Sequence, residues 1–266
     1  MPRNKPALPG HLFTILFVIA AIAFCASGVP AQESATQNPP PYRGVETHVE
    51  GVFVTPVANV PLTAVAEVVS TQVLDDGSSV SKKTFNNIAR DSQGRIYNER
   101  RSMVPETSDV TPDLISFHIF DPTTRLNTFL NPDTHLAHQA VLSERAADQV
   151  MAVAQRQGSV TATAANRPGY QEQDLGTQSM ENVVVHGTRK TRTIPATSSG
   201  TGKPVVVTDE YWYSEELHLN MLVKHDDPRT GQQIVTVTHV DRSEPAAATF
   251  EIPADYKVVD ETPVRK

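Results

Sequence analysis

The sequence predicts a mainly β protein: a strongly curved antiparallel sheet with one helix against its concave side. Two observations carry that fold class. Short β-branched, alternating runs recur along the chain, separated by Gly-, Pro-, Asn- and Asp-rich turns. Only one stretch, 143–157, changes to helical spacing. Nine or ten strands in a single sheet must curl, and a helix on the hollow side buries apolar surface without a second sheet.

Arg3 and Lys5 precede the apolar run "LFTILFVIAAIAF" (Leu12 to Phe24), and "GVPA" follows with Val29 and Ala31 at the −3 and −1 positions of a cleavage site. This is the layout of a secretory signal peptide over 1–31, and the run is short for a membrane span of about 20 residues. Acylation of Cys25 would need a small residue before it, and Phe24 stands there. Cleavage removes the one cysteine, so no disulfide or thiol chemistry remains. It also removes two cations, taking the net charge from −7 to −9. An exported acidic protein, periplasmic or extracellular and with no membrane span after cleavage, is the expectation. Such a charge disfavours nucleic acid, whose affinity comes mainly from clustered Lys and Arg.

Residues 32–62 ("QNPPPYRGVE", "TPVANVP") read as an extended, Pro-rich lead-in. One antiparallel domain then spans 63–258. "TAVAEVVSTQVL" alternates Val65, Val69 and Val73 with polar neighbours and turns at "DDG" (75–77); "SSVSKKTFNNIARD" returns to a turn at "SQG" (92–94), and "RIYNERRSMV" follows. "LISFHIF" places Ile115, Phe117 and Ile119 on one face, and "RLNTFL" does the same with Leu126, Thr128 and Leu130. The turns between them, "DPTT" (121–124) and "NPDT" (131–134), begin with Asp or Asn, which bonds its own backbone, and place Pro where φ is pre-set. Ser143 is a candidate N-cap, with Ala146, Ala147, Val150, Val153 and Ala154 at helical spacing and Gly158 as the stop. The aperiodic stretch 159–173 completes a helix and loop insert over 143–173. Strands resume from Asp174, with a turn at Glu181–Asn182, a Gly/Ser/Thr loop at 196–203 and a turn at "DPRTG" (227–231). Leu217, Leu219, Met221 and Val223 alternate with His218, Asn220, Leu222 and Lys224, one buried face against one mostly wet face. Residues 259–266 read as a disordered tail.

The residues do not assemble into a catalytic pattern. No G-x-S-x-G occurs, and "SSGTGKP" (198–204) fails as a phosphate loop because Lys203 precedes Pro204 and no helix follows. The carboxylate pairs Asp75/Asp76 and Asp226/Asp227 sit in turns, where Asp is expected. His135 and His138, three apart on a strand, point to opposite faces; His218, His225 and His239 give no tetrahedral set. No enzyme activity, metal or cofactor is expected. Lys82, Lys83, Arg90, Arg95 and Arg100 form a basic stretch that either is a solvated outer face or docks anionic headgroups or an acidic partner. Arg189, Lys190 and Arg192 add a second cluster.

The closing stretch carries a resemblance. A Trp–aromatic strand (Trp212, Tyr213) leads to a hairpin arm, a turn and a strand ending in Asp241–Ser243. Then comes F-x-I-P-A-x-Y-x-V, here Phe250, Ile252, Pro253, Ala254, Tyr256 and Val258. This pattern, over 209–258 or about a fifth of the chain, resembles the closing region of the periplasmic lipoprotein-carrier (LolA-like) half-barrel proteins. That superfamily includes sigma-factor regulators with a sensor domain of the same shape and mycobacterial lipoproteins. The resemblance implies a half-barrel whose apolar concavity holds acyl chains or a lipidated partner. Trp212, Leu217, Leu219, Met221 and Val223 are the candidate lining residues. The first strand is Ala- and Val-rich and aromatics total 6%, leaner than the carriers' lining of large apolar residues. Two functions therefore stand: a non-enzymatic envelope protein that binds a lipid or lipidated partner, or a structural interaction module with a packed core and an envelope protein as partner.

Overall fold

The computed structural model describes residues 54–263 except Asp75 and 158–167, and only the backbone of 153–157. The signal peptide, Cys25, most of the lead-in, Gly158, most of the loop after it and 264–266 lie outside the described residues.

Among the described residues, thirteen strands and one α-helix run in the order β1 (Leu62–Val73), β2 (Ser79–Arg90), β3 (Ile96–Arg101), β4 (Val104–Pro105), β5 (Leu114–Asp121), β6 (Leu126–Asn131), β7 (Leu136–Val141), α1 (Glu144–Gln157), β8 (Tyr170–Met180), β9 (Val183–Ile194), β10 (Val205–Ser214), β11 (Leu219–Asp227), β12 (Gly231–Asp241) and β13 (Lys257–Asp260). They form one open sheet ordered β13-β7-β6-β5-β3-β2-β1-β12-β11-β10-β9-β8, with β4 beside β2. This is the mainly β, curved half-barrel with one helix that the sequence predicts. The strand count exceeds nine or ten partly because two-residue β4 and four-residue β13 are too short to show a period.

The central strand explains the sheet's inner face. Leu62, Ala64, Ala66 and Val68 of β1 are buried, while Thr63, Val65, Glu67 and Val69 between them are half-buried. Register places Val68 opposite Val235 of β12, and Val235 opposite Val223 of β11. With Ile88, Ile96, Phe120 and Val237 these make the main core. Helix α1 packs on that core through Val150, with Leu142 just before it. Its start is capped as predicted: the Ala146 N–H donates to Ser143 Oγ at 3.3 Å and the Ala147 N–H to the Ser143 carbonyl at 2.9 Å.

Three hairpins use one turn. In Asp121-Pro-Thr-Thr-Arg125 and Asn131-Pro-Asp-Thr-His135, the first side chain accepts N–H bonds from the third and fourth residues. In Asp227-Pro-Arg-Thr-Gly231 it accepts from the third. Each ends on a left-handed residue, with φ of 61°, 51° and 112° at Arg125, His135 and Gly231. At Gly231 a Cβ would lie 1.9 Å from the Thr71 carbonyl oxygen, so β12 can approach β1 there only as glycine.

A second core occupies the outer face of β2, β3, β5, β6 and β7. Ala89, Phe117, Ile119, Leu130 and Ala137 alternate with the inner residues and are covered by Phe250, Ile252 and Tyr256. The F-x-I-P-A-x-Y segment is therefore a strap across the outside of the sheet. It ends in β13, which pairs in parallel with β7, Val258 opposite Ala137. Ile115, expected to share a face with Phe117 and Ile119, is exposed because the β3–β5 register slips at that point.

Four boundaries differ from those expected. The tail from 259 is not free: Val259 and Asp260 belong to β13, and the Glu261 N–H donates to the Gln139 carbonyl at 2.8 Å. The end of the lead-in is not loose, since Val54 and Thr55 are buried. Tyr170–Gln173 are strand rather than loop. Strand β11 starts at Leu219, because His218 is left-handed (φ 49°) and ends a turn that contains Leu217.

Candidate functional site

The candidate lining residues divide. Leu217, Leu219, Met221 and Val223 are fully buried in the main core. Val223 stands between Val235 and Tyr211 in register, on the inner row that continues to Val68. Trp212 stands opposite Leu222 and Gly187, beside a β-bulge at Trp212–Tyr213, and packs against the main core from its edge. Its half-buried ring covers Gly187, where any Cβ would meet the indole at 2.6 Å. Its N–H donates to Glu210 at 2.8 Å. Glu210 also accepts from Arg189 at 2.9 Å and faces Lys224 at 3.5 Å. Burial raises the Glu210 carboxyl, but these contacts together outweigh it and hold the group below the usual range. Trp212 thus joins the main core to a charged belt, its ring against the one and its N–H on the other. Asn220, expected to face water, is buried.

The basic stretch does not form one surface. Arg90, expected on it, is fully buried. Its Nε donates to the Val60 carbonyl at 2.7 Å, Nη1 to Thr55 at 2.9 Å and Nη2 to Leu217 at 2.7 Å. Burial pushes this guanidinium down to about 10, so it stays charged at neutral pH. Position explains the correction: Arg90 is opposite Leu62 on the inner face, where it donates to backbone carbonyls. Arg95 pairs with Asp91 at 2.6 Å and lies over the Phe250 ring, on the outer side. Lys82 and Lys83 occupy opposite faces of β2, Lys83 near the Phe85 ring. Lys82 and Arg100 are exposed. In the second cluster, Arg189 pairs with Glu210 and Lys190 lies over Tyr211.

One inner row was not anticipated. Ala64, Ile88, Asn98, His118, Phe129 and His138 stand opposite one another across β1, β2, β3, β5, β6 and β7. Its middle is polar and buried. The His118 ring stacks on Phe129 at 4.6 Å, and its Nε2 bonds Asn127 Oδ1 at 2.6 Å. Burial lowers His118 to about 4 and keeps it neutral. Asn98 is 1% exposed, and neither its Oδ1 nor its Nδ2 has a hydrogen-bond partner. The sequence signal for this row was alternation: Ile96 and Phe120, two residues along from Asn98 and His118, are core residues.

Among the described residues, no three His, Cys, Asp or Glu side chains converge as metal ligands. Nor is any described helix long and apolar enough to cross a membrane. A groove of about 280 Å³ opens on the outer face between Val65, Asn87, Tyr97, His239 and Thr249.

No family model and no curated protein matches the sequence. Among solved structures, the chain is similar to an uncharacterized conserved protein from Thermus thermophilus. The identity is 8% and the TM-score 0.38, over 76% of this chain and 91% of that one. It is similar to the Pseudomonas aeruginosa MucA/MucB complex structure at 11% identity and a TM-score of 0.37. That match covers 75% of this chain and 58% of that chain, little more than half of the latter's length. It is also similar to a LolA superfamily protein from Nitrosomonas europaea, at 8% identity and a TM-score of 0.28, over 73% and 91% of the two chains.

Proposed function

We propose that this is a non-catalytic exported protein whose inner face receives an acyl chain, carried by a free lipid or by a lipidated partner. The observation that carries this reading is the strip Ala64, Ala66, Val68, Val235, Val237 and Val223, an apolar lining of small side chains on the inner side of a single-layered sheet. Two alanines at successive inner positions of the central strand fill less of the layer between sheet and helix than Leu or Phe would. Twelve strands in sequence across the sheet span roughly 50 Å, from a strand spacing near 4.8 Å. The 14-residue helix is about 21 Å long and about 10 Å wide. The inner face as a whole is therefore wider than the helix alone can cover.

A packed interaction module is the second reading, favoured by the complete burial of Met221, Val223 and Val235. A titration with a fluorescent fatty acid separates the two. The acyl-chain reading gives saturable binding that Met221→Trp weakens while the melting temperature holds. The packed reading gives no uptake, and Met221→Trp then destabilises by about 1–3 kcal/mol through overpacking.

A further inference from the structure

We propose that Asn98 is the head-group site of the inner face, and that it selects acyl chains ending in a neutral carboxamide. The proposal rests on the acyl-chain reading above and adds the chemistry of the ligand's polar end. Asn98 stands between Ile88 and His118 in register, with Ile96 and Phe120 on the same side of the adjoining positions. Its carboxamide is buried, and both polar atoms lack partners. Buried side-chain polar atoms are nearly always bonded, and an unmet one costs about 1–3 kcal/mol. An apolar residue at 98 would suit the surrounding layer better. A group that supplies both a donor and an acceptor removes the cost.

The neighbours narrow the ligand. Asn127 already occupies His118 Nε2, and the Asn86 Oδ1 accepts the Arg101 N–H at 2.8 Å. What Asn98 offers is one acceptor and a paired donor, with a neutral imidazole opposite. A carboxylate would accept from Nδ2, leave Oδ1 unmet and bring a charge into an apolar layer. An ester also leaves Oδ1 unmet. A carboxamide gives its C=O to Nδ2 and its N–H to Oδ1, a reciprocal pair. The apolar tail then runs along the same row past Ile88 toward Ala64.

The test displaces a fluorescent fatty acid from the full mature chain with dodecanamide or dodecanoate at neutral pH. Dodecanamide is expected to displace the probe at about tenfold lower concentration, a difference of about 1.4 kcal/mol. In Asn98→Leu that preference disappears, while the melting temperature stays equal or rises. Asn98→Ser, a smaller change, serves if the leucine variant fails to fold, and it too loses the preference. Equal displacement by the two compounds, stronger displacement by dodecanoate, or a preference that survives at position 98 overturns the head-group site and leaves the acyl-chain reading standing. No uptake of the probe by the wild-type chain overturns both.

Discussion

Arg90 is a buried cation, with no carboxylate paired to it among the described residues, and is held by three main-chain carbonyls, two from the lead-in and one from the turn before β11. Removing the side chain takes one donor from each of the three oxygens, of which Thr55 keeps the Val57 N–H at 2.9 Å. Arg90→Met is expected to lower stability by about 3 kcal/mol or more, read from a urea midpoint. The sequence shows an Arg beside Asp91 and Arg95, which is how an exposed charged turn looks. The contact that buries it spans 127 residues to Leu217, and no local pattern announces a separation of that size. His118 gives a second test at this scale. Its folded pKa, about 4, lies below the ordinary 6.5, so the unfolded chain binds more protons between those values. Stability from this group is complete above about pH 6.5 and falls as pH drops toward 4, by up to roughly 3 kcal/mol. His118→Gln should flatten that part of the stability–pH curve; an unchanged slope in the variant would place its source elsewhere.

Elements were most legible where one short stretch carries its own instructions. The Asp/Asn-Pro turns, the Ser143 cap and the Glu181–Asn182 hairpin each follow from local bonds and φ preferences, and each stands where the sequence put it. At that hairpin both turn residues are left-handed, φ 48° and 60°, a geometry in which Glu is a poor first residue. Glu181→Asn should raise stability by about 0.5 kcal/mol in thermal melts. The C-terminal strap was legible as a motif within the domain but not in its place. Phe250, Ile252 and Tyr256 have no period that would set them on a face, and they cover Tyr97, Phe117, Ile119 and Leu130. His135 and His138 meet Asp255 and Glu261 on either side of β13, at 2.8 and 2.7 Å. Phe250→Ala is expected to cost about 3 kcal/mol. A loss below about 1 kcal/mol would show that the outer core does not need its cover.

For the whole molecule, the sheet's order and its two cores depend on one fact that alternation did reveal and one that it did not. Strand by strand, Met221 and Val223 were readable as an apolar face, but in β1 the alternating valines Val65, Val69 and Val73 are the outer set, and the small residues Ala64 and Ala66 with Val68 are the buried row. That a second apolar face exists outside β3, β5 and β6 was not readable, because Phe117 and Phe120 in one strand serve opposite cores. The polar middle of the inner row escaped notice for a related reason. Asn98 and His118 are polar types that strand logic assigns to water, and only the register shows them facing inward. Met221→Asp would bury an unpaired charge and should abolish cooperative unfolding, while His218→Asp, at a left-handed turn position that Asp tolerates, should stay within about 1 kcal/mol of wild type. The central claim is that the inner face holds an acyl chain. Native mass spectrometry of the protein purified from its own envelope tests it most directly. The account predicts a complex heavier than the polypeptide by the mass of one lipid or lipidated partner, released as the intact ligand on collisional activation. The bare polypeptide mass, from a preparation that also takes up no fluorescent fatty acid, would contradict it.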